Sequence, residues 1–195
     1  MPFAPRWIAL GALVAVLLGV SAWAIAMLLG SSSHPAKHAA ATGLTQYRDP
    51  SGAFAGSYPS NWRRLAPASN ESGVVLLAQS SNGASLLVRK TPIGATVTLT
   101  NLGAARKLTD SVVFSDKSAK LLNPPQAVTL GGLPGYLYLY TFQDPTGIGG
   151  AHAHYFLFDG TTMITLVFQA MPANSIVAMA PLFDRIAKTF HALPG

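Results

Sequence analysis

From Trp7 to Gly30 the chain reads WIALGALVAVLLGVSAWAIAMLLG, 24 residues without a charge. At about 1.5 Å per helical residue this run covers about 36 Å, enough to cross a bilayer core with some tilt. It predicts an N-terminal transmembrane anchor over residues 1–30. Residues 31–43, SSSHPAKHAAATG, hold no large apolar side chain to bury and predict a flexible linker. The rest, 44–195, breaks into short apolar runs separated by turn residues and predicts one folded domain.

Within that domain Thr45 to Asp49 and Ala53 to Tyr58 flank Asp49-Pro50-Ser51-Gly52, the spacing of two strands around a tight turn, and Pro59 stops the second. Gly73 to Gln79 and Ser85 to Lys90 are joined by Ser80-Ser81-Asn82-Gly83, whose Asn-Gly predicts a hairpin. Leu102, Ala105, Leu108 and Val112 recur at helical spacing, predicting a helix from about Leu99 to Val113 capped by Thr98 or Thr100, with Arg106, Lys107 and Asp110 facing water. Ala127 to Leu130, Gly135 to Phe142, His152 to Phe158 and Met163 to Gln169 read as strands, with turns at Gly131-Gly132, Asp144 to Gly150 and Asp159-Gly160. Ile176, Met179, Ala180, Phe183, Ile186, Ala187 and Phe190 form a closing apolar helical stripe. Pro181 conflicts with a helix unbroken from Ser175, so the main helix is expected to begin near Ala180. Hairpin-linked strands with helices at the middle and end predict an α+β fold, an antiparallel sheet with packed helices in an α/β/α sandwich.

Half of the residues are hydrophobic, and the excess sits in the N-terminal run. A cleaved signal peptide is the competing reading, with Arg6 as a basic start and Ala39-Ala40-Ala41 as small residues for a peptidase. The run exceeds the usual apolar length of about 7 to 15 residues, and that cut lies well beyond it, which favours an uncleaved signal-anchor. Arg6 and Lys37 nearly balance across the span. A tail this short ahead of a first apolar segment stays cytoplasmic as a rule, which puts the domain outside the cytoplasm on a single-pass protein of the cell membrane. Gly11, Ala15, Gly19 and Ala22 would let another helix approach closely, as in a subunit of a membrane complex.

The absence of cysteine excludes disulfides, thiolate metal sites, thiol nucleophiles and cysteine-linked lipid. Thirteen Lys and Arg against seven Asp and Glu give a net charge of +6, which suits solubility and also anionic headgroups or acidic partners. The basic residues come as scattered pairs such as Arg63-Arg64, Arg89-Lys90 and Arg106-Lys107, so no nucleic acid is expected.

The segment YRDPSGAFAGSYPSNWRR, with Tyr58-Pro59-x-x-Trp62, resembles the opening of Mog1/PsbP-like domains, including those of actinobacterial envelope proteins. The middle helix, GLPGYLYLYTF, HAHYFLFDGTTMITLVF and a last helix ending Ile186-Ala187-Lys188-Thr189-Phe190 continue the resemblance over about residues 44 to 193. It implies that the Pro-x-x-Trp turn buries an indole. It also implies a non-catalytic binding fold, shared by photosystem extrinsic subunits, a Ran-binding protein and many secreted domains. Many relatives carry a cysteine-linked lipid where this chain has an apolar span.

Candidate chemistry is sparse. His152 and His154 share a strand face and could ligate zinc or copper, but a site needs three or four ligands and no third is in view. They also centre the alternative reading, a hydrolase or metal-dependent enzyme whose site is assembled from distant residues. No Gly-x-Ser-x-Gly elbow occurs, and the acids are dispersed. Gly147-Ile148-Gly149-Gly150 precedes a strand, unlike a phosphate loop, and is a candidate contact loop. Tyr136, Tyr138 and Tyr140 form a same-face row that is either a binding platform or, more in keeping with alternating aromatics, sheet packing. No cofactor is expected. The favoured function is a membrane-anchored extracytoplasmic binding or accessory module, not an enzyme, with a protein partner in the envelope.

Overall fold

The computed structural model describes residues 43–67 and 71–194. The expected anchor, and all of the expected linker but Gly43, lie outside these residues. Among the described residues no helix is long and apolar enough to cross a membrane. In chain order the elements are β1 (Leu44–Arg48), β2 (Phe54–Pro59), β3 (Arg63–Arg64), β4 (Val74–Gln79), β5 (Ser85–Val97), α1 (Leu102–Val113), β6 (Lys120–Leu121), β7 (Gln126–Leu130), β8 (Leu133–Gln143), β9 (Gly149–Ala170), α2 (Ile176–Ala187) and β10 (His191–Ala192). A small antiparallel sheet has the order β1-β2-β10, and the main sheet runs β3-β4-β5-β9-β8, with β6 and β7 both paired to β8.

β9 is a hairpin in itself. His152 and Gln169 stand 17 residues apart, yet His152 Nε2 lies 3.1 Å from Gln169 Oε1. Seventeen extended residues would span about 56 Å, so the chain reverses at Gly160-Thr161. There Gly160 takes a φ of +57°, in the left-handed region that glycine enters without steric cost. The first arm pairs with β8 from Gly149 to Leu157, and the second pairs with β5 from Gly160 to Gln169. The two arms therefore occupy the centre of the main sheet.

Alternation along these strands sends side chains to both faces, and both are covered. Tyr136, Tyr138, Phe156, Phe158 and Met163 pack with Leu102, Ala105 and Val113 of α1. Ala153, Leu157, Ile164, Leu166 and Phe168 pack with Met179, Phe183 and Ile186 of α2, and with Tyr47 and Phe54 of the small sheet. The expected α+β layering is thus present, with the antiparallel sheet between two helices. Trp62 is buried in the α2-side core, as the family resemblance implies, and its backbone N–H donates to the Pro59 carbonyl at 2.9 Å, closing the turn.

The Asp49 turn joins the small sheet to the large one. Asp49 is 2% exposed and its Oδ2 accepts from Lys90 Nζ at 2.9 Å, from Ala53 N at 3.3 Å and from Ser51 Oγ. Burial would raise this carboxyl's pKa, but the bonds from Ser51, Lys90 and Ala53 together outweigh it and hold it below the usual carboxylate range.

Three expectations change. β5 continues past Lys90 to Val97, its register with β9 shifting between Pro92 and Val97. Arg106 and Asp110 do not simply face water. Asp110 Oδ1 accepts from Tyr138 O–H at 2.6 Å and from Arg106 Nε at 2.9 Å, and the guanidinium lies over the Tyr136 and Tyr138 rings at 5.5 and 5.6 Å. Pro181 does not delay the last helix, which runs unbroken from Ile176. The carbonyl that a proline deprives of its partner belongs to Val177, a residue 78% exposed, so water can satisfy it.

Candidate functional site

The tyrosine row of β8 and the histidines of the first arm of β9 face the α1 side together. Register pairs Tyr136 with Phe156, Tyr138 with His154 and Tyr140 with His152. Tyr136, Tyr138 and Tyr140 are 7%, 0% and 7% exposed, which corrects the platform reading: the rings lie in the interior and offer no open stacking face. Tyr136 O–H donates to the Leu102 carbonyl at 3.2 Å, tying β8 to the start of α1. Burial, followed by the bond to Asp110, pushes the Tyr138 hydroxyl up to about 12.

Tyr140 reaches the histidines. Its oxygen lies 3.0 Å from His152 Nδ1 and 3.2 Å from His154 Nδ1. The far nitrogen of His152 meets Gln169 Oε1, and Gln169 Nε2 donates to Met171 Sδ at 3.2 Å. A thioether can only accept, so it fixes the amide with its oxygen toward His152. His152 therefore carries its proton on Nε2, and its Nδ1 accepts the Tyr140 proton. The Tyr140 oxygen in turn accepts from His154 Nδ1–H. Donation thus runs one way, from His154 through Tyr140 and His152 to Gln169 and on to Met171, and it leaves His154 Nε2 at its head as an unprotonated acceptor that is buried and has no partner.

Stacking holds the rings: His152 lies on Phe142 with centroids 4.2 Å apart, and His154 on Phe156 at 3.8 Å. Burial lowers His152 to about 4 against the pull of Gln169 and Asp116. Burial, then His152 and Arg89, take His154 well below the ordinary histidine value. Both imidazoles are neutral at pH 7. Removing the shared hydroxyl should be costly: Tyr140→Phe is expected to lose about 1 to 3 kcal/mol, because two Nδ1 atoms lose their partner in the interior. Urea denaturation at pH 7 would measure it, and a loss below about 0.5 kcal/mol would contradict the shared-bond geometry.

Among the described residues no three His, Asp or Glu side chains are grouped to hold a metal, so His152 and His154 form a hydrogen-bonded pair about a tyrosine. Of the candidate loop, Gly149 and Gly150 belong to β9, and Gly150 lies against the Phe142 ring. The turn itself is closed by Asp144, whose Oδ1 accepts from Thr146 N, Thr146 Oγ1 and Ile148 N at 2.7 to 2.9 Å. Ile148 remains 48% exposed at its tip. A cavity lined by Tyr47, Phe54, Leu86, Val88 and Phe190 measures 10 Å³, about the threshold for one water, which leaves no room there for an organic ligand.

Sequence reasoning missed Gln169 and Arg89. A two-residue reversal at Gly160-Thr161 sets residue 152 opposite 169, so the predicted hairpin already contained the Gln169 contact. Arg89 carried no such signal, since an arginine within an apolar run reads as the solvent side of a strand.

A family model described as PsbP matches residues 42–192. None of the curated proteins searched matches the chain. Among solved structures, cyanobacterial PsbP (CyanoP) from Synechocystis is 22% identical, with a TM-score of 0.60 over 84% of this chain and 98% of that one. LpqN of Mycobacterium tuberculosis, involved in cell envelope biogenesis, is 11% identical with a TM-score of 0.56 over 78% and 91% of the two chains. The Ran-binding protein Mog1p of Saccharomyces cerevisiae is 12% identical with a TM-score of 0.52 over 76% and 95%. At these identities the likeness is one of fold.

Proposed function

The chain belongs to the PsbP family, and from that premise we propose that it is a membrane-anchored, extracytoplasmic binding or accessory module that recognises a protein partner at the envelope and catalyses nothing itself. The observation that carries this reading is the extent of the family match: residues 42–192 coincide with the folded domain and leave the apolar run Trp7 to Gly30 ahead of it. That division suits a binding fold held at a bilayer by an anchor. The relatives add support, one being described as Ran-binding and another as involved in cell envelope biogenesis. The engaged, neutral state of His152 and His154 favours a structural role for them over hydrolysis or metal chemistry. Ile148, exposed on a closed turn, is the first place to seek a contact.

Fractionation tests the anchored half of the reading. A C-terminally tagged full-length chain should stay with membranes through an alkaline carbonate wash, and protease added to intact spheroplasts should digest its domain. Removing Trp7 to Gly30 should release it into the soluble fraction. A protected domain, or a full-length chain that washes off, would contradict the proposal.

A further inference from the structure

The donation chain that runs from His154 through Tyr140 and His152 to Gln169 has an open lone pair at its head, His154 Nε2. That atom is buried and unpartnered, and Arg89 Nε, a donor, is buried and unpartnered too. Both lie on the α1 side of the main sheet. Arg89 stands opposite Thr165 on the second arm of β9. The reversal at Gly160 sets Thr165 across from Phe156 on the first arm, and His154 is the next residue on that face. Two strand spacings across and two residues along, their backbones are therefore about 12 Å apart, with two long side chains on one face between them, and the Arg89 charge acts on the His154 ring.

We propose that His154 and Arg89 together form a binding site for one hydroxyl group, whose oxygen accepts from Arg89 Nε–H and whose proton is donated to His154 Nε2. The polarity selects this chemistry. A bare anion would satisfy the arginine and leave the lone pair unmet, while a metal cation would meet the imidazole beside a fixed positive charge. A hydroxyl closes both valences and extends the chain of donation by one step. Its two sources are a bound water and the alcohol group of a small molecule.

Imidazole nitrogen NMR on the full-length, ¹⁵N-labelled chain at pH 7 tests the site. The expected result is a His154 Nε2 that is unprotonated and shifted to the position of a hydrogen-bonded acceptor. In Arg89→Met that signal should move toward the free-nitrogen position while the His152 signals hold still. Titration with ethanol separates the sources. A saturable shift of the His154 resonances identifies an alcohol site, whereas no shift, with a water cross-peak to the His154 ring, identifies a bound water. A proton on His154 Nε2, or a free-nitrogen position in the unmodified protein, overturns the proposal; the wild-type spectrum decides even if the variant fails to fold.

Discussion

Lowering the pH from 7 to 4 is expected to remove about 3 kcal/mol of folding stability through His152 alone. The native ring titrates at about 4 because burial penalises its charged form, whereas an unfolded histidine titrates near its ordinary value of about 6.5. Between those two values the unfolded chain binds more protons than the folded one, so stability is full above about pH 6.5 and falls as the pH drops. His154, lowered in the same direction by burial, deepens the loss. Its geometry sharpens the effect: a proton on His152 Nδ1 would displace the Tyr140 proton from its acceptor and leave it unpaired in the interior. Asp49 and Asp144, both held below the usual carboxylate range, lose their contributions mainly below about pH 4, so the window above it belongs to the histidines. Denaturant titrations at intervals from pH 7 to 4 would show the slope. His152→Gln should be less stable at pH 7 and markedly flatter below 6.5; a wild-type curve flat between 6.5 and 4.5 would refute the buried-neutral assignment.

Gly135→Ala is expected to cost about 3 kcal/mol or more, or to prevent folding. A methyl carbon at Gly135 would lie 2.0 Å from the Phe156 carbonyl oxygen. The clash is with backbone of a paired central strand, so no side chain can turn aside to relieve it. β8 and the first arm of β9 would have to separate where Tyr136 meets Phe156, loosening the strands that carry Tyr140 and the two histidines. Gly103→Ala in α1 is the matched control: nothing lies within 4 Å of its added carbon, and the better helix former should add up to about 1 kcal/mol. Thermal melts of both variants would decide, and a Gly135→Ala protein that melts within a degree or two of the parent would show that the strands yield there.

These two predictions rest on features of different legibility. The pairing of Tyr140 with the histidines was latent in the sequence, because strand alternation put His152 and His154 on one face and Asp159-Gly160 announced the reversal. What alternation does not reveal is which face is covered, and in this fold both are, so the tyrosine row could be read as platform or as packing until α1 was set upon it. Pro181 misled for a physical reason: the carbonyl it abandons belongs to exposed Val177, where water offsets part of the lost bond, and packing of the helix's apolar face carries the rest. Arg106 and Asp110 misled because helical spacing identifies an outward face without showing how far a long side chain reaches back over a neighbouring ring. The family resemblance carried the layer order and the buried indole, and the structure bears out both.

The most direct test of the binding-module reading is a pull-down from mild detergent of the full-length chain beside a variant lacking Trp7 to Gly30, each quantified by mass spectrometry against an untagged control. The account predicts a specific, stoichiometric protein partner that the variant without the apolar run retains, placing recognition on the folded domain. No specific partner with either form, or partners that vanish with the apolar run, would contradict it.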